Sequence, residues 1–405
     1  MRILMWNPIY VLGGGMHLML NIVKQLNDNP RVESVTVALN KTYEAFEECC
    51  WGGKVRRVFI AANANVSDYA SNHDVIYVTW PHGLAPLRSQ LPKVCIFQDT
   101  IAFDAYGALS TRNYLTEMGN SVLQTLRHYS RVIVTSHYTK RRLVELFGKE
   151  FEERLDVLPH IASDPEALQA TADSRAGGHP ARTITAAFGN RSFLLYPANV
   201  SEHKNHVGLF HSLAMRKRKD IPLVLCGFRT ERIGKTDLDD CSYVNRLNQV
   251  ILNRGIQSGI DYLSLGYVED SDMPWLWERA LGLVMPTRAE GMGLPIHEAI
   301  DRRVPVIASD IEVLREHFAD RSKAILWVDQ ECPSQLAAAW DHVCDRQAEM
   351  KELAAANSGS SASWSDIVSM TVAILERAQS EDREFIQGSR LTRMVSNVKR
   401  MLRTD

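Results

Sequence analysis

The stretch that decides the fold runs from Leu281 to Pro295, LGLVMPTRAEGMGLP. Its first five residues are apolar and predict a buried strand, and Pro295 suits the first turn of a helix. Between them, Gly291 and Gly293 allow backbone amides to approach a ligand closely. A strand, a tight loop and a helix start in this order are typical of a parallel α/β sheet, and the N-terminus of such a helix attracts phosphate.

Two carboxylates flank this loop. Glu290 stands at its mouth, and Glu298 falls in the first turns of the following helix. Because a carboxylate repels phosphate but accepts strong hydrogen bonds from hydroxyl groups, their expected partners are sugar hydroxyls. A phosphate site beside two hydroxyl-binding groups predicts a nucleotide sugar as the ligand.

Short apolar runs alternate with longer amphipathic stretches on both sides of this segment, which predicts two doubly wound parallel α/β domains. In the first half the predicted strands are Arg2–Trp6, Val35–Leu39, Val75–Thr79, Lys93–Gln98, Arg131–Thr135 and Leu155–Leu158. In the second half they are Phe193–Pro197, Leu223–Cys226, Tyr262–Leu265, Leu281–Met285, Val304–Ala308 and Ala324–Val328. Ligands bind beyond the carboxyl ends of the strands in such sheets, so a cleft between the domains is the expected site.

The domain boundaries follow from composition. Residues 1–165 are predicted to form the N-terminal domain, and residues 166–191, rich in Ala, Gly, Ser and Thr, a linker. Residues 192–362 are predicted to form the C-terminal domain, and residues 363–405 a terminal helix with a basic amphipathic tail. Such a tail would either lie on an anionic membrane surface or dock on the protein.

Composition excludes several classes of protein. The 405 residues are 45% hydrophobic, which suits about two folded domains rather than disorder. Lys and Arg together number 46 against 48 Asp and Glu, so we expect no nucleic-acid partner. The 7 cysteines form no C-x-x-C pair, which is typical of reduced thiols in the cytoplasm. The apolar N-terminus is broken by Asn7 and Pro8, well short of the ~20 apolar residues that a spanning helix needs.

The central segment resembles the donor-binding core of retaining glycosyltransferases of the GT-B fold, family 4 of the sequence classification, also called glycosyl transferases group 1. The family signature is E-G-[FY]-G-L-P with a second Glu eight residues after the first, and Glu290 to Pro295 with Glu298 matches it. Met292 takes the usual aromatic position, and the sequence from Val304 to Asp310 follows the family's V-P-V-I-A-S pattern. The resemblance implies two Rossmann-like domains facing a central cleft and a C-terminal helix that crosses back to the N-terminal domain.

The resemblance also implies roles for residues of the second half. Lys204 matches a family lysine that contacts the donor diphosphate, and Glu290 would bind hydroxyls of the transferring sugar. Glu298 would hold the ribose hydroxyls. The backbone amides of the loop would help to stabilise the leaving diphosphate, and these belong to Gly291, Met292, Gly293 and Leu294. The family needs no divalent metal or cofactor for this chemistry.

In the first half the resemblance is weaker. A glycine loop facing the same phosphates is matched by Gly13, Gly14 and Gly15. His82 and Asp99 lie in segments similar to bacterial mannosyltransferases of O-polysaccharide assembly, and they are candidate acceptor-side or sugar-side catalytic residues. A structural histidine and a helix-capping aspartate are the respective alternatives.

We therefore expect a retaining hexosyltransferase with GDP-mannose as the favoured donor and a polysaccharide or lipid-linked oligosaccharide as the acceptor. The expected location is cytoplasmic, with peripheral contact to the inner membrane left open. Gln98 stands where the family often has His, and Ala198 where some members carry a second cation. These departures keep two alternatives open: a UDP- or dTDP-sugar donor, and a non-catalytic nucleotide- or partner-binding protein of the same fold.

Other classes of protein fit less well. The glycines at 13 to 15 do not give the G-x-G-x-x-G pattern of a dinucleotide-dependent oxidoreductase. The spacing from Gly227 to the Gly234-Lys235 pair is two residues too long for a P-loop. A metal site could be assembled from Glu202, His203, His206 and His211. Those spacings do not give the i, i+4 geometry of paired helical ligands.

Overall fold

The computed structural model describes residues 1–7, 14–40, 52–60, 66–81, 87, 89–105, 112–160, 178–235, 241–358 and 362–381. The chain divides into two compact units. The first comprises Met1–Asp104, Ser110–Ala162 and Ala362–Asp405, and the second comprises Ser163–Ser361 together with Ala105–Leu109. Residues 362–381, the last described range, therefore belong to the same unit as residues 1–7.

The first unit is built on a sheet of seven parallel strands. The strands are β1 (Arg2–Trp6), β2 (Ser34–Asn40), β3 (Val55–Ile60), β4 (Val75–Val78), β5 (Lys93–Phe97), β6 (Arg131–Val134) and β7 (Leu155–Val157). Their order is β3-β2-β1-β4-β5-β6-β7. The helices between them are α1 (Gly14–Asp28), α2 (Ile101–Asp104), α3 (Arg112–His128) and α4 (His137–Phe147). The central strands β4, β5 and β6 are buried at every residue, which explains why they read as continuous apolar runs.

The second unit repeats this architecture with six parallel strands. They are β8 (Phe193–Pro197), β9 (Leu223–Cys226), β10 (Tyr262–Ser264), β11 (Ala280–Met285), β12 (Val306–Ser309) and β13 (Ile325–Val328), in the order β10-β9-β8-β11-β12-β13. Its helices are α5 (His179–Phe188), α6 (His206–Met215), α7 (Ser242–Asn253), α8 (Met273–Arg279), α9 (Leu294–Asp301), α10 (Glu312–His317), α11 (Pro333–Asp345) and α12 (Gln347–Ala356). The sheet order reverses between β8 and β11, so these neighbours flank the switch point where doubly wound sheets bind ligands.

The last described helix, α13 (Trp364–Ser380), returns to the first unit. It packs on α1, β4 and β5. Its start is defined by a capping box, in which the Ser363 hydroxyl accepts from the Asp366 amide and the Asp366 carboxylate accepts from the Ser363 amide. The predicted fold class is confirmed: two doubly wound α/β units and a C-terminal helix that crosses back to the N-terminal unit.

A buried arginine ties the end of α13 to the first sheet. Arg131, on β6, has a side chain that is only 3% exposed. Its guanidinium donates to Asp156 Oδ1 at 2.8 Å, to the Glu381 carboxylate at 2.9 and 3.1 Å, and to the Glu153 carbonyl at 2.8 Å. Because this charge is desolvated, it depends on the two carboxylates that surround it.

Strand β3 and helix α5 are among the elements that were not predicted. Strand β3 carries Arg56 and Arg57 in its middle and lies at the edge of the sheet, where half-exposed strands lose their apolar run. Helix α5 lies within the predicted linker, and it buries Pro180, Ala181, Ile184 and Phe188. Residues 166–177 of that linker and the basic tail from residue 382 lie outside the described residues. The domain boundaries themselves stay predictions.

No helix in the described part of the chain is both long enough and apolar enough to cross a membrane.

We predict that Arg131→Met lowers the free energy of unfolding by about 3–5 kcal/mol, because the largely buried Asp156 carboxylate loses both of its hydrogen bonds from Arg131 and keeps the exposed Arg377, at 3.8 Å, as a weaker cationic partner. Urea unfolding followed by circular dichroism measures the change. Glu381→Gln is the control. That side chain is 36% exposed, so water screens its ion pair with Arg131, and the loss of its charge should lower the free energy of unfolding much less. Unaltered stability of Arg131→Met would contradict the described role of this arginine in holding α13.

Candidate active site

Two loops of the second unit meet where β8 and β11 end. These strands are neighbours in the sheet and run parallel, so their carboxyl ends lie at the same edge. After β8 the chain makes a short 3₁₀ turn, Glu202–Lys204, and enters α6. After β11 it passes through residues 286–293 and enters α9. The residues singled out in the second half of the sequence lie on these two loops and on α9.

The two loops bring Lys204 and Glu290 into contact. The ammonium group of Lys204 donates a hydrogen bond to Glu290 Oε1, although the residues are 86 positions apart in the chain. The Lys204 side chain is 18% exposed and that of Glu290 is 8% exposed. A largely buried ion pair contributes little net stability, because the cost of desolvation offsets the attraction. Its presence at a ligand-binding edge therefore points to function rather than to stability.

Buried neighbours fix the turn that carries Lys204. The Tyr196 hydroxyl, at the end of β8, donates to the Lys204 carbonyl at 2.5 Å, and this tyrosine is 1% exposed. Asn205 adopts the left-handed conformation with φ 54° and caps α6, since its side chain accepts from the Gly208 amide at 3.1 Å. The same side chain donates to the Gln330 carbonyl at 2.7 Å. The direction of the Lys204 side chain is thus set by groups that cannot move freely.

The loop that carries Glu290 is joined to this turn by hydrogen bonds. The hydroxyl of Thr287, which is fully buried, donates to the His203 carbonyl at 2.9 Å. The Arg288 amide donates to the same carbonyl at 2.7 Å. At the other end of the loop, the His317 ring donates from Nε2 to the Gly291 carbonyl at 3.0 Å, and burial lowers the pKa of His317, which favours the neutral ring. The loop is therefore held at both ends.

Helix α9 begins at the same edge. Its cap, Gly293, has φ 74°, a left-handed conformation that favours glycine. A Cβ atom at this position would lie 2.7 Å from Leu314 Cδ2 and 3.1 Å from Phe318 Cε2, so packing also excludes a side chain. Glu298 is exposed on this helix, and its charge adds to burial in raising the pKa of the Cys226 thiol to about 12.

Two histidines stand next to Lys204 in the chain: His203 belongs to the same 3₁₀ turn, and His206 is the first residue of α6. Burial, followed by the charge of Lys204, lowers the pKa of His203 to about 3. Burial and the charges of Lys204 and His203 lower the pKa of His206 to about 3 as well. The His206 ring packs on Tyr196 at 5.0 Å between ring centroids. Both imidazoles are neutral at neutral pH, so they add no positive charge to the site.

The sequence-predicted residues of the first unit are described only in part. Asp99 Oδ1 accepts from the Ile101 amide at 3.0 Å, the contact expected of the helix-capping alternative. Gly14 and Gly15 lie at the start of α1. Gly13 and His82 lie outside the described residues. The catalytic and phosphate-binding roles of these residues stay predictions.

Across the described ranges, no group of three or more His, Cys, Asp or Glu side chains is arranged to hold a metal ion. Of the ligand set considered from the sequence, Glu202 instead pairs with Arg246, and His206 packs among aromatic rings.

Several residues that build the site were not predicted as such. Tyr196 lies in a segment that resembles the family's first strand of the C-terminal domain, but no role was assigned to Tyr196, Thr287 or Arg288. The sequence does carry a signal for Thr287, because a polar residue stands directly after an apolar strand and Pro286. The structure shows that this residue is buried. The partners of Arg288 are far away in the chain, and no local pattern points to them.

Comparison with known proteins supports the resemblance on which these predictions rest. Residues 181–358 match the family Glycosyl transferases group 1. Over 134 residues the chain is 35% identical to the O-antigen chain mannosyltransferase B of Escherichia coli, a match that covers 32% of this chain and 32% of that protein. The matched segment therefore spans about a third of the length of that relative.

Solved structures share the fold over nearly the whole chain. HepE of Anabaena, in complex with UDP and glucose, superposes with a TM-score of 0.66 at 17% identity and covers 93% of this chain and 98% of its own. The sucrose-phosphate synthase of Thermosynechococcus elongatus gives a TM-score of 0.67 at 15% identity, with 93% and 98% covered. At such identities the likeness concerns the fold alone.

The two parallel sheets, their strand orders and the return of α13 define a chain of the GT-B fold. Its second unit carries the loops described above, and residues 181–358 of the chain are the part that matches the family Glycosyl transferases group 1.

We predict that His206→Phe makes stability less dependent on pH. The folded state holds His206 neutral, whereas in the unfolded chain it takes up a proton near pH 6.5. The contribution of His206 to the free energy of unfolding is therefore fully present above pH 6.5. It is lost as the pH falls toward the folded-state pKa, by about 2 kcal/mol at pH 5. The thermal midpoint at pH 7.5 minus that at pH 5 should be smaller in the variant. An equal or larger difference would contradict the assignment of a neutral buried His206.

Proposed function

We propose that this protein is a retaining glycosyltransferase that moves a hexosyl unit, mannose from GDP-mannose, to a polysaccharide or lipid-linked oligosaccharide. The observation that carries the proposal is the pairing of Lys204 with Glu290 at the carboxyl ends of β8 and β11, where α9 begins. A cation, a carboxylate and a helix N-terminus are the groups needed where a diphosphate joins a sugar. The group 1 domain and the partial relative among O-antigen mannosyltransferases support it.

In this proposal Lys204 and the backbone amides of Gly291–Leu294 stabilise the negative charge that develops on the leaving diphosphate. Fixed hydrogen bonds from Tyr196 and Thr287 hold the two loops before any ligand arrives. Electrostatic stabilisation by groups already in place needs no reorganisation during the reaction, and this makes it a large term in catalysis.

Glu290 accepts hydrogen bonds from hydroxyls of the transferring sugar, and Glu298 accepts them from the ribose. The acceptor hydroxyl attacks the anomeric carbon from the face that the diphosphate leaves, through an oxocarbenium-like state. As the bond from carbon to phosphate oxygen breaks and the bond to the acceptor oxygen forms, a phosphate oxygen takes the acceptor's proton. The scheme assigns no protein nucleophile, unlike retaining glycosidases with their paired carboxylates.

The donor has a second candidate. The partial relative is named a mannosyltransferase, which favours GDP-mannose, whereas HepE is described in complex with UDP and glucose. A UDP- or dTDP-sugar would use the same Lys204 and Glu290 contacts. We place the reaction in the cytoplasm, with the basic tail as the segment that would contact the membrane peripherally.

We predict that GDP raises the thermal midpoint of the purified protein more than UDP, dTDP, ADP or NAD at equal concentration. A ligand at about a hundred times its Kd adds roughly 2.7 kcal/mol of stability, which a thermal melt detects readily. Release of GDP from GDP-mannose is the following assay. Selective stabilisation by UDP would replace the donor and keep the mechanism. A response to NAD alone, or to no nucleotide, would refute the proposed function.

We predict that Glu290→Gln lowers kcat/KM for the donor roughly ten- to a hundredfold, because a charge-assisted hydrogen bond to a sugar hydroxyl contributes about 1.5–3 kcal/mol. The same variant should bind free GDP more tightly than the wild type, since Lys204 loses the carboxylate that competes with phosphate. Initial rates and isothermal titration with GDP measure the two effects.

Glu349→Gln is the matched control for that experiment. It removes the same charge from the same unit, where Glu349 forms an exposed ion pair with Arg346. Its kcat/KM and GDP affinity should equal those of the wild type. If Glu290→Gln turns over the donor at the normal rate, the role given to Glu290 is wrong.

A further inference from the structure

Arg288 connects three loops of the second unit through one side chain. It lies two residues before Glu290, on the loop after β11. Its guanidinium donates from Nε and Nη2 to the two oxygens of Glu331, at 2.6 and 3.0 Å, and from Nη1 to the Glu202 carbonyl at 3.0 Å. Glu331 follows β13, and Glu202 opens the turn that ends in Lys204. The loops after β8, β11 and β13 are thus joined at one point.

Other hydrogen bonds reinforce the same junction. The Arg288 amide and the Thr287 hydroxyl both contact the His203 carbonyl, at 2.7 and 2.9 Å. Asn205 reaches the Gln330 carbonyl, next to Glu331, at 2.7 Å. The carbonyls of the two residues before Lys204 are therefore both held by Arg288, one through its side chain and one through its backbone.

The guanidinium of Arg288 is already paired with a carboxylate. Its side chain is 28% exposed, and the carboxylate of Glu331 accepts hydrogen bonds from both Nε and Nη2. Paired in this way, Arg288 is poorly placed to serve as a second cation for a ligand. Its effect on a ligand would act through Lys204, whose turn it holds.

We propose that Arg288 is a positioning residue: by bridging Glu331 to the two residues before Lys204, it fixes where the Lys204 ammonium lies at the sheet edge and thereby raises the affinity of the site for the diphosphate of a nucleotide. This inference rests on the proposed function. An arginine is required because its planar fork binds a carboxylate with two nitrogens while a third reaches a carbonyl. A lysine offers a single nitrogen for all of these contacts.

The test compares Arg288→Lys and Arg288→Gln with the wild type in two titrations, one with GDP and one with guanosine. We expect both variants to bind GDP about tenfold more weakly, the loss typical of a misplaced charged hydrogen bond. Guanosine affinity should stay at the wild-type value, because the nucleoside carries no phosphate. A purely structural defect would weaken both ligands together. Glu331→Gln should weaken GDP binding in the same way.

Arg218→Gln is the matched control. Arg218 forms a two-oxygen contact with Asp220, at 2.9 and 2.8 Å, and a further bond to Asp345 at 2.7 Å, and its side chain is 34% exposed. This variant should bind GDP as the wild type does.

The outcomes separate the two proposals. Suppose that the wild type binds the nucleoside diphosphate. The positioning role is refuted, while the proposed function stands, if the Arg288 variants bind it equally well or if their affinities for GDP and guanosine fall by the same factor. If the wild type binds no nucleoside diphosphate, both are refuted. Should UDP be the nucleotide that the wild type binds, uridine and UDP take the places of guanosine and GDP.

Discussion

The contact between Lys204 and Glu290 is the constraint around which the second unit is organised. Each side chain leaves a loop at the carboxyl edge of the sheet, and each is largely removed from water. Two desolvated charges of opposite sign persist only where the surrounding structure keeps them together, since each alone would be costly. The neighbouring features, namely a capped turn, a buried threonine and a glycine-headed helix, can be understood as the means of keeping this pair in place.

The geometry of the chain around the pair follows from that requirement. Asn205 and Gly293 both take left-handed conformations, with φ 54° and 74°, and each stands directly before a helix of the site. Such residues let the chain turn sharply from a strand end into a helix. The strands that feed the two turns are neighbours at the switch point of the sheet, and this brings together residues 86 positions apart.

What the sequence could predict depends on how far apart the interacting residues are. Buried parallel strands such as β8 and β9 read as apolar runs, and their bounds were predicted without error. The glycine loop from Glu290 is local and carries a family motif, so it could be found as well. Strand β3 carries two arginines and has a mixed face that no simple period distinguishes from irregular chain. Helix α5 buries Ala181, Ile184 and Phe188 at helical spacing, but it lies in a stretch whose Ala, Gly, Ser and Thr content indicated a linker. The bond between Arg288 and Glu331 spans 43 residues, and only the folded sheet shows it.

The charge balance of the resting site bears on how a donor and its product would be distinguished. Lys204 is paired with Glu290 and Arg288 with Glu331. On the proposed assignment, an incoming diphosphate would displace the Glu290 carboxylate from Lys204. On the proposed assignment, a nucleotide sugar gives Glu290 new partners, since the sugar hydroxyls donate to it. The free nucleoside diphosphate gives it none and leaves two negative groups close together. The resting ion pair would therefore favour the donor over the spent nucleotide, and its re-formation would help to release the product after transfer.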